Sequence, residues 1–210
     1  MSKPEIILIG AGGHARACID VIEQGGQYQI AFIVGLPKQR NMLLQGYKVL
    51  ACDDELEEIA KSYEYALITV GQIQTAEHRI RLYKMALKYG FKLPVIISPS
   101  AQVSRHAKVD SGSIVMHGAI VGAGANVGVN CIINTRALIE HDTKVEDNCH
   151  ISTGALLNGN VTVGSGTFIG SGCVIKDGVV MGKNCLISMG LSIQQNLLSD
   201  TRVFNRQVKV

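Results

Sequence analysis

The sequence predicts two folds in series, an α/β domain over residues 1–99 and an all-β domain, a parallel β-helix, over residues 100–210. Two observations carry this prediction. From Val103 onward an aliphatic residue recurs at every sixth position, whereas the residues before it alternate between short apolar runs and segments of helical periodicity. Ser98, Pro99 and Ser100 separate the two patterns and have the composition of a connecting segment.

The first part of the chain alternates strands and helices in the manner of βαβ units. Its predicted elements are a strand over 5–9, a helix over 14–24, a strand over 28–34, a helix over 53–62, a strand over 65–70, a helix over 74–89 and a strand over 92–97. Strands that are connected through helices usually pair in parallel. This part is therefore expected to form a small parallel sheet covered by helices.

The first predicted strand runs into the turn Gly10–Ala15, which reads GAGGHA, at the start of a helix. Backbone N–H groups and the helix dipole favour a phosphate group at such a turn. A dinucleotide site also needs an acidic residue about 20 positions further on, and the second predicted strand ends in Val34 and Gly35 without one. NAD is therefore not expected. The turn either binds a nucleotide diphosphate or nucleotide sugar, or only lets the helix pack closely on the strand.

The second part of the chain is defined by its six-residue repeat. The aliphatic positions are Val103, Val109, Val115, Val121, Val127, Ile133, Ile139, Val145, Ile151, Leu157, Val163, Ile169, Ile175, Met181, Ile187 and Ile193. Such a repeat is typical of a solenoid of triangular coils, in which three hexads complete one coil. The corner position of each hexad is Gly, Asn or Asp, residues that tolerate a positive φ angle, with His106 and Arg136 as exceptions. We predict slightly more than five coils.

The residue after each small inward position is expected to point outward, and residues one coil apart share a face of the prism. These outward residues form a largely polar first face and apolar second and third faces. The first face carries Lys108, Asn126, Lys144, Thr162, Val180 and Leu198; the second carries Ile114, Ile132, His150, Phe168 and Leu186; the third carries Ile120, Leu138, Leu156, Val174 and Ser192. Two exposed apolar faces are a liability in a monomer, so we predict a homotrimer.

Composition limits the classes of function. The chain has 210 residues, 47% of them hydrophobic and 18% charged, and its net charge of +3 is too small to indicate a nucleic-acid partner. No signal peptide or apolar run of membrane-spanning length is apparent, so we expect a cytoplasmic protein without a membrane partner. Four of the six cysteines occupy small inward positions of the hexads, which favours packing thiols over a disulfide or a metal site.

His141 is the strongest candidate for a catalytic residue. It stands at a predicted corner between Glu140 and Asp142, and a carboxylate on one ring nitrogen would raise the basicity of the other. Either carboxylate could be that partner. Gly159 lies one coil further on, where its N–H could receive an oxyanion, although glycine is also ordinary there. If the third face of one protomer packs on the second face of its neighbour, His141 comes close to His150 of the partner subunit.

These residues together resemble a known family. The segments GAGGHA (10–15), ISPSA (97–101), INTRALIEHD (133–142) and HIST (150–153), set in a hexapeptide solenoid, resemble the bacterial sugar O-acyltransferase family. That family includes sialic acid O-acetyltransferases and nucleotide-linked 4-amino-sugar N-acetyltransferases. The resemblance covers nearly the whole chain. It implies a Rossmann-like first domain that binds a nucleotide sugar, and a left-handed β-helix that forms trimers and binds acetyl-CoA between subunits.

The resemblance also implies roles for single residues. His141 matches the general base of the family and Gly159 its oxyanion donor, and no metal is implied. Asn134 and His150 match residues near the acceptor and the acetyl thioester. The residues that match the nucleotide-sugar loop are Gly12, Gly13 and His14.

The chain departs from the family pattern at two places. Family members usually carry acidic residues at the end of the second strand, where this chain has Val34–Pro37. They also usually end in a Gly-x-Pro-Ala-Lys turn beside the coenzyme, where this chain has Phe204–Val208. The first departure leaves the identity of the nucleotide base open, and the second leaves the detail of coenzyme binding open.

The resemblance implies acetyl-CoA-dependent N-acetylation of a nucleotide-linked amino sugar, of the 4-amino-4,6-dideoxy type, in bacterial surface-glycan biosynthesis, by direct acyl transfer. O-acetylation of a sialic or related nonulosonic acid is the alternative, because the same base could activate a hydroxyl group. A zinc hydratase on the same solenoid would need three histidines at one metal, and His117, His141 and His150 lack the expected spacing. An ice-binding solenoid would show outward threonine columns, which the sequence lacks.

Overall fold

The computed structural model describes residues 3–205, and these form two compact units. The first unit is built from the residues up to Gly71 and from Glu77–Pro99; the second is built from Gln72–Ala76 and from Ser100 onward. The segment Gln72–Ala76 therefore does not continue the first domain as the sequence pattern suggests. None of the helices among the described residues has the length and apolar character needed to cross a lipid bilayer.

The first unit is a mixed sheet with helices. Its elements are β1 (Glu5–Ile9), α1 (Gly13–Gly25), β2 (Gln29–Gly35), a 3₁₀ turn (Pro37–Gln39), β3 (Leu43–Leu44), β4 (Tyr47–Cys52), a second 3₁₀ turn (Asp53–Glu55), α2 (Leu56–Ile59), β5 (Tyr65–Ile68), α3 (Glu77–Lys88) and β6 (Ile96–Ile97). Strands β4, β2, β1 and β5 lie side by side and run parallel, which confirms the predicted pairing type for β1, β2 and β5 and adds β4, which was not predicted. The apolar run of β1 is fully buried at the centre of this sheet.

Three details of the first unit differ from the sequence prediction. A short hairpin, β3 and β4, adds an antiparallel edge, and its Gln45-Gly46 turn is not one of the strong hairpin signals. The helix expected over 53–62 is limited to α2, because its first residues form the second 3₁₀ turn instead. The Glu55 carboxylate caps this turn by accepting a hydrogen bond from the Cys52 N–H. The strand expected over 92–97 is limited to β6, and Lys92 makes only an isolated bridge to Tyr65.

The second unit is a left-handed parallel β-helix of two-residue strands, as the resemblance implies. The strands are β7 (Gln102–Val103), β8 (Lys108–Val109), β9 (Ile114–Val115), β10 (Ile120–Val121), β11 (Asn126–Val127), β12 (Ile132–Ile133), β13 (Leu138–Ile139), β14 (Lys144–Val145), β15 (His150–Ile151), β16 (Leu156–Leu157), β17 (Thr162–Val163), β18 (Phe168–Ile169), β19 (Val174–Ile175), β20 (Val180–Met181), β21 (Leu186–Ile187), β22 (Ser192–Ile193) and β23 (Arg202–Val203). Every third strand pairs in parallel, so His150 lies beside Ile132 and Phe168. This confirms the predicted columns of the three faces as far as Val180, Leu186 and Ser192.

The corners of the β-helix adopt the left-handed backbone conformation that the repeat predicts. Glycines, asparagines and aspartates fill nearly all of them, and Asp142 has φ 57°. Arg136 has the same φ of 57°, although a left-handed conformation costs an ordinary L-residue roughly 1–2 kcal/mol. The coil geometry thus imposes this conformation even where the sequence disfavours it.

The repeat shortens at its C-terminal end. Leu186 pairs with Arg202, and Asn184 donates a hydrogen bond to Asp200, 16 residues further on, so the last coil is two residues shorter than the others. Asp200 takes the left-handed corner one coil after Asn184, with φ 63°. Leu198, which we expected on the first face, lies outside the ladder and is 85% exposed.

The inward residues of the hexads form one continuous core. The aliphatic positions from Val115 to Ile187 and the small positions between them are almost completely buried. The inward cysteines are unpaired thiols within this core: Cys131, Cys149, Cys173 and Cys185. Burial raises the pKa of the Cys149 thiol well above its usual value. A buried, protonated thiol is unreactive, which agrees with a packing role.

The three faces differ in exposure more than the sequence suggests. On the second face, Ile114 and Ile132 are fully buried and His150 is 7% exposed within a single chain. The expectation that this apolar face lies open for a partner is therefore wrong. The third face keeps an exposed apolar stripe, because Ile120 and Leu156 are 40% and 37% exposed.

Candidate active site

The corner between β13 and β14 holds His141 between two carboxylates. The Nδ1 atom of His141 lies 3.0 Å from Oδ2 of Asp142, and its backbone N–H donates to Oε2 of Glu140 at 3.1 Å. The left-handed backbone of Asp142 turns its carboxylate back toward the preceding ring. Of the two predicted partners, Asp142 therefore orients the imidazole and Glu140 fixes the backbone. With Nδ1 donating to Asp142, Nε2 is the ring atom that can accept a proton.

Electrostatics favour a basic imidazole at this corner. The hydrogen bond that His141 Nδ1 donates to Asp142 raises the pKa of His141 above its usual value, desolvation opposes this effect, and the charges of Asp142, Glu140 and Asp177 add to it. The side chain of His141 is 55% exposed, so its Nε2 is accessible to a reactant. A basic, oriented and accessible imidazole can act as a general base.

Gly159 allows the imidazole of His141 to approach its backbone closely. A Cβ atom built at Gly159 would lie 2.6 Å from Nε2 of His141 and 2.8 Å from Oδ2 of Asp177. A larger residue here would displace the ends of two side chains from the neighbouring coils. The His141 ring and the Asp177 carboxylate therefore border the same space in front of Gly159. Asp177 was not among the site residues predicted from the sequence. Its spacing of two coils from His141 was the available signal.

His150 is held in a polar network away from His141. Its Nδ1 lies 2.6 Å from the carbonyl oxygen of Gln72, and its Nε2 lies 3.1 Å from Nδ2 of Asn134. A carbonyl only accepts hydrogen bonds, so Nδ1 carries the proton and Nε2 accepts from the Asn134 amide. The Oδ1 atom of Asn134 accepts from the N–H of Thr135 at 2.8 Å. The predicted pair Asn134 and His150 is therefore brought together, and Gln72 is a partner that the sequence did not reveal.

A groove of about 370 Å³ lies beside His150 in the second unit. The rings of Phe168 and Phe204 supply apolar surface, and the Phe168 ring meets the His150 ring edge to face at 5.2 Å. Serine hydroxyls and one guanidinium group line the rest of the groove: Ser152, Ser171, Ser188 and Arg202. This combination suits an extended ligand with an apolar arm and an anionic group.

The glycines of the turn Gly10–Ala15 differ in how closely the rest of the first unit packs on them. A Cβ at Gly10, which has φ 125°, would lie 2.6 Å from Cγ2 of Val70, so Gly10 is needed for packing. A Cβ at Gly12 or Gly13 would meet nothing within 4 Å. Packing therefore accounts for Gly10 but not for Gly12 and Gly13, and these two leave the start of α1 accessible to a ligand. His14 follows on the first turn of α1, with its Cβ near Gly71.

The end of β2 is where the chain departs from the family pattern. Gln39 folds back on this turn: its Oε1 accepts from the N–H of Leu36 at 2.9 Å, and its Nε2 donates to the carbonyl of Ala11 at 3.2 Å. A neutral amide therefore ties the segment after β2 to the glycine turn. The carboxylates usual in the family are absent from Val34–Pro37.

Among residues 3–205, one group of side chains brings together three potential metal ligands. Cys52, Asp54 and Glu55 have potential ligand atoms within 4.8 Å of one another. The Glu55 carboxylate is engaged by both guanidinium nitrogens of Arg40, at 3.0 and 3.1 Å. This group therefore belongs to the second 3₁₀ turn and is unrelated to the histidines.

Substituting Asp142 tests the electrostatics of His141. Asp142→Asn keeps a residue that tolerates the left-handed corner but removes the charge, so the pKa of His141 should fall. General-base activity is lost as pH falls through the pKa of His141, so the acidic limb of the pH–kcat/KM profile should move to lower pH. Above both pKa values kcat should fall about tenfold, because the hydrogen bond that stabilises the imidazolium is weakened. Glu140→Gln is the matched control and should shift the limb less; equal shifts would contradict the assignment of Asp142.

Comparison with known families gives two matches. The PglD N-terminal domain matches residues 5–85, and the hexapeptide repeat of succinyl-transferase matches residues 160–195. The first match covers most of the α/β unit and the second covers the later coils of the β-helix. The curated protein sequences give no match to this chain.

Solved structures match almost the whole chain. PerB from Caulobacter crescentus, in complex with CoA and GDP-perosamine, is 28% identical with a TM-score of 0.89, covering 96% of this chain and 94% of that one. The acetyltransferase domain of PglB from Neisseria gonorrhoeae is 30% identical with a TM-score of 0.84, covering 93% of each chain. The same domain in complex with acetyl coenzyme A is 29% identical with a TM-score of 0.87, covering 96% of each chain.

Proposed function

The chain belongs to the hexapeptide-repeat sugar acyltransferases, and on this premise we propose that it transfers the acetyl group of acetyl-CoA to the amino group of a nucleotide-linked amino sugar. The observation that carries this proposal is the corner at His141, where an oriented and basic imidazole faces the space in front of Gly159. PerB, a structural neighbour, binds CoA and GDP-perosamine. A sugar of the 4-amino-4,6-dideoxy type, used in bacterial surface-glycan biosynthesis, is the corresponding acceptor.

His141 would act as the general base. The acceptor nitrogen attacks the acetyl carbonyl and passes its proton to Nε2, while Asp142 holds the Nδ1 proton and stabilises the imidazolium. The backbone N–H of Gly159 would receive the oxyanion of the tetrahedral intermediate. The thiolate then leaves and takes the proton from His141. The reaction needs neither a metal nor a covalent enzyme intermediate.

The groove beside His150 would hold the coenzyme. Its aromatic walls suit the apolar parts of a pantetheine arm, the serine hydroxyls suit its amide groups, and Arg202 offers a charge for a phosphate. His150 would shape the thioester end of this groove through its ring, since both of its nitrogens already bond to Gln72 and Asn134. Asn134, which donates a hydrogen bond to Nε2 of His150, would lie on the side of the site where the acceptor sugar binds.

The glycine turn would hold the nucleotide end of the acceptor. Gly12 and Gly13 leave the first N–H groups of α1 open to a phosphate, and His14 stands beside them. Gln39, rather than a carboxylate, lies next to this turn. The nucleotide base would therefore be read by neutral groups.

A homotrimer would complete the site. His141 and the coenzyme groove lie at different corners of one β-helix, and the exposed apolar stripe of the third face runs between these corners. Packing of this stripe on a second copy would bury apolar surface and would bring His141 to the groove of the partner subunit. Light scattering that gave the mass of a monomer at micromolar concentration would contradict this assembly. We propose a cytoplasmic location because the sequence has no apolar run of membrane-spanning length.

Ligand-induced stabilisation tests the proposed function. We expect acetyl-CoA and one nucleotide-linked amino sugar from a UDP, GDP and dTDP panel to raise Tm. A ligand at 100 times its Kd adds about 2.7 kcal/mol to the free energy of unfolding. CoA-dependent acetylation of the stabilising sugar should follow in the same samples. Stabilisation and acetylation confined to free sialic acid would instead favour the O-acetyltransferase alternative.

A further inference from the structure

We propose that Asp177 binds the protonated amino group of the acceptor next to His141, and that it thereby selects amines over hydroxyl and anionic acceptors. This inference rests on the proposed function, because it specifies the chemistry at the acceptor end of the same site. The pattern of the family motifs does not include Asp177. The placement of its carboxylate in the structure is what points to this role.

Three residues stack in one column at the corner after the third face. The Asn160 N–H donates to the carbonyl of His141, and the Gly178 N–H donates to the carbonyl of Gly159, so successive coils are in direct contact here. A Cβ at Gly159 would approach Nε2 of His141 and Oδ2 of Asp177 to 2.6 and 2.8 Å. A proton-accepting nitrogen and a carboxylate oxygen therefore border the same space. The two atoms are close enough for one group with several hydrogen-bond donors to reach both.

The Asp177 carboxylate acts on His141 through its charge alone within residues 3–205. The carboxylates of Asp142 and Glu140 are both used, one by the ring and one by the backbone N–H of His141. Asp177 is exposed, and no hydrogen bond or ion pair in the described part of the chain holds it, including one from the adjacent Lys176. Its charge is available to a ligand, whereas the other two carboxylates serve the imidazole.

The chemistry of amine acetylation makes use of such a carboxylate. A sugar amine reaches the enzyme largely as an ammonium ion, whose three N–H donors suit a carboxylate and an imidazole nitrogen together. One proton must leave to water before the nitrogen attacks. The N–C bond then forms to give the tetrahedral intermediate, the C–S bond breaks as this intermediate collapses, and the second proton passes through His141 to the leaving thiolate. The products are the amide, free CoA and one released proton.

The same charges disfavour the alternative acceptors. A hydroxyl group has one donor and no positive charge, so it gains less from Asp177 than an ammonium does. A nonulosonic acid carries a carboxylate, which the charges of Asp177, Asp142 and Glu140 would repel. Selection between N- and O-acetylation would therefore depend on Asp177 rather than on His141, which can serve either reaction.

The test compares the wild-type enzyme with Asp177→Asn, Asp177→Glu and the matched control Asp110→Asn, which removes the same charge from a surface ion pair with Lys108. For Asp177→Asn we expect KM for the nucleotide-linked amino sugar to rise about tenfold, the size of one charge-assisted hydrogen bond. KM for acetyl-CoA should stay constant. The inhibition constant of the 4-hydroxy counterpart of the sugar should also stay constant, so amine-over-hydroxyl preference falls tenfold. Asp177→Glu should retain most of the preference, and the control all of it.

The outcomes separate this inference from the proposed function. An unchanged amine preference in Asp177→Asn, with a wild-type enzyme that acetylates the amino sugar, overturns the role of Asp177 alone. An equal loss in Asp177→Asn and Asp177→Glu overturns it too, because the charge would then not matter. A wild-type enzyme that acetylates only sialic acid overturns both proposals. Tm measurements on each variant identify any loss that comes from misfolding.

Discussion

Replacement of His141 by alanine is expected to lower kcat by about 10²–10⁴-fold, the usual contribution of a positioned general base. The reason is specific to Nε2, which the Nδ1 contact with Asp142 orients toward the space in front of Gly159. The ring is exposed and at a corner, so its removal should leave the fold and Tm almost unchanged. Steady-state kinetics with acetyl-CoA and the amino sugar measure the effect.

Binding measurements make the His141 result specific. The Kd of acetyl-CoA should stay within a few-fold of wild type in His141→Ala, since His141 does not line the groove beside His150 and would meet only the thioester end of the coenzyme in the proposed trimer. His106→Ala is the matched control, because His106 is another exposed histidine of the β-helix, and its ring accepts a hydrogen bond from Nε of Arg105 at 3.1 Å. Activity near the wild-type level in His141→Ala would rule out the general-base role.

A single methyl group at Gly159 is expected to lower kcat/KM about 10²-fold, the scale of loss from a misplaced reacting group. In Gly159→Ala the new Cβ would lie 2.6 Å from both Cε1 and Nε2 of His141, so the imidazole must move away from its present position. The backbone of Gly159 has no left-handed φ, and an alanine is therefore tolerated there. We expect little change in Tm, because the contacts are the ends of exposed side chains.

Gly25→Ala provides the comparison for Gly159→Ala. Gly25 ends α1, and its nearest contact for a Cβ is at 3.9 Å, so this substitution should leave kcat/KM unchanged. A crystal structure of Gly159→Ala would show the His141 ring displaced. An undisturbed ring together with full activity would show that the space in front of Gly159 is not used.

The β-helix could be predicted in detail because its signals are local and repeat. Each hexad contains its own inward residue and its own corner residue. An error in placing one coil therefore does not displace the next, until the length of the coil itself changes. That change occurs only after Ile193, where a 16-residue step brings Asn184 to Asp200. The first unit was harder to predict, because hairpin strands as short as Leu43–Leu44 carry almost no periodicity.

The site was predictable to the extent that it follows the coil. His141 could be found from its flanking acids, but both acids fit the sequence equally, and only the left-handed turn at Asp142 decides between them. Asp177 was detectable in principle from its in-phase spacing. The bond from His150 to Gln72 was not, because the sequence gives no sign that Gln72–Ala76 leaves the first unit.

Gln72–Ala76 belongs to the second unit but lies in the sequence between two parts of the first unit. A single cut in the gene therefore cannot separate the two units. A fragment that starts at Ser100 would lack the carbonyl that accepts the His150 Nδ1 proton and would lack Ile73 and Gln74 from the wall of the groove. Its His150 imidazole would lose the hydrogen bond that fixes its tautomer. Chimeras that exchange the first unit between such enzymes should therefore keep this five-residue segment with the β-helix to which it belongs.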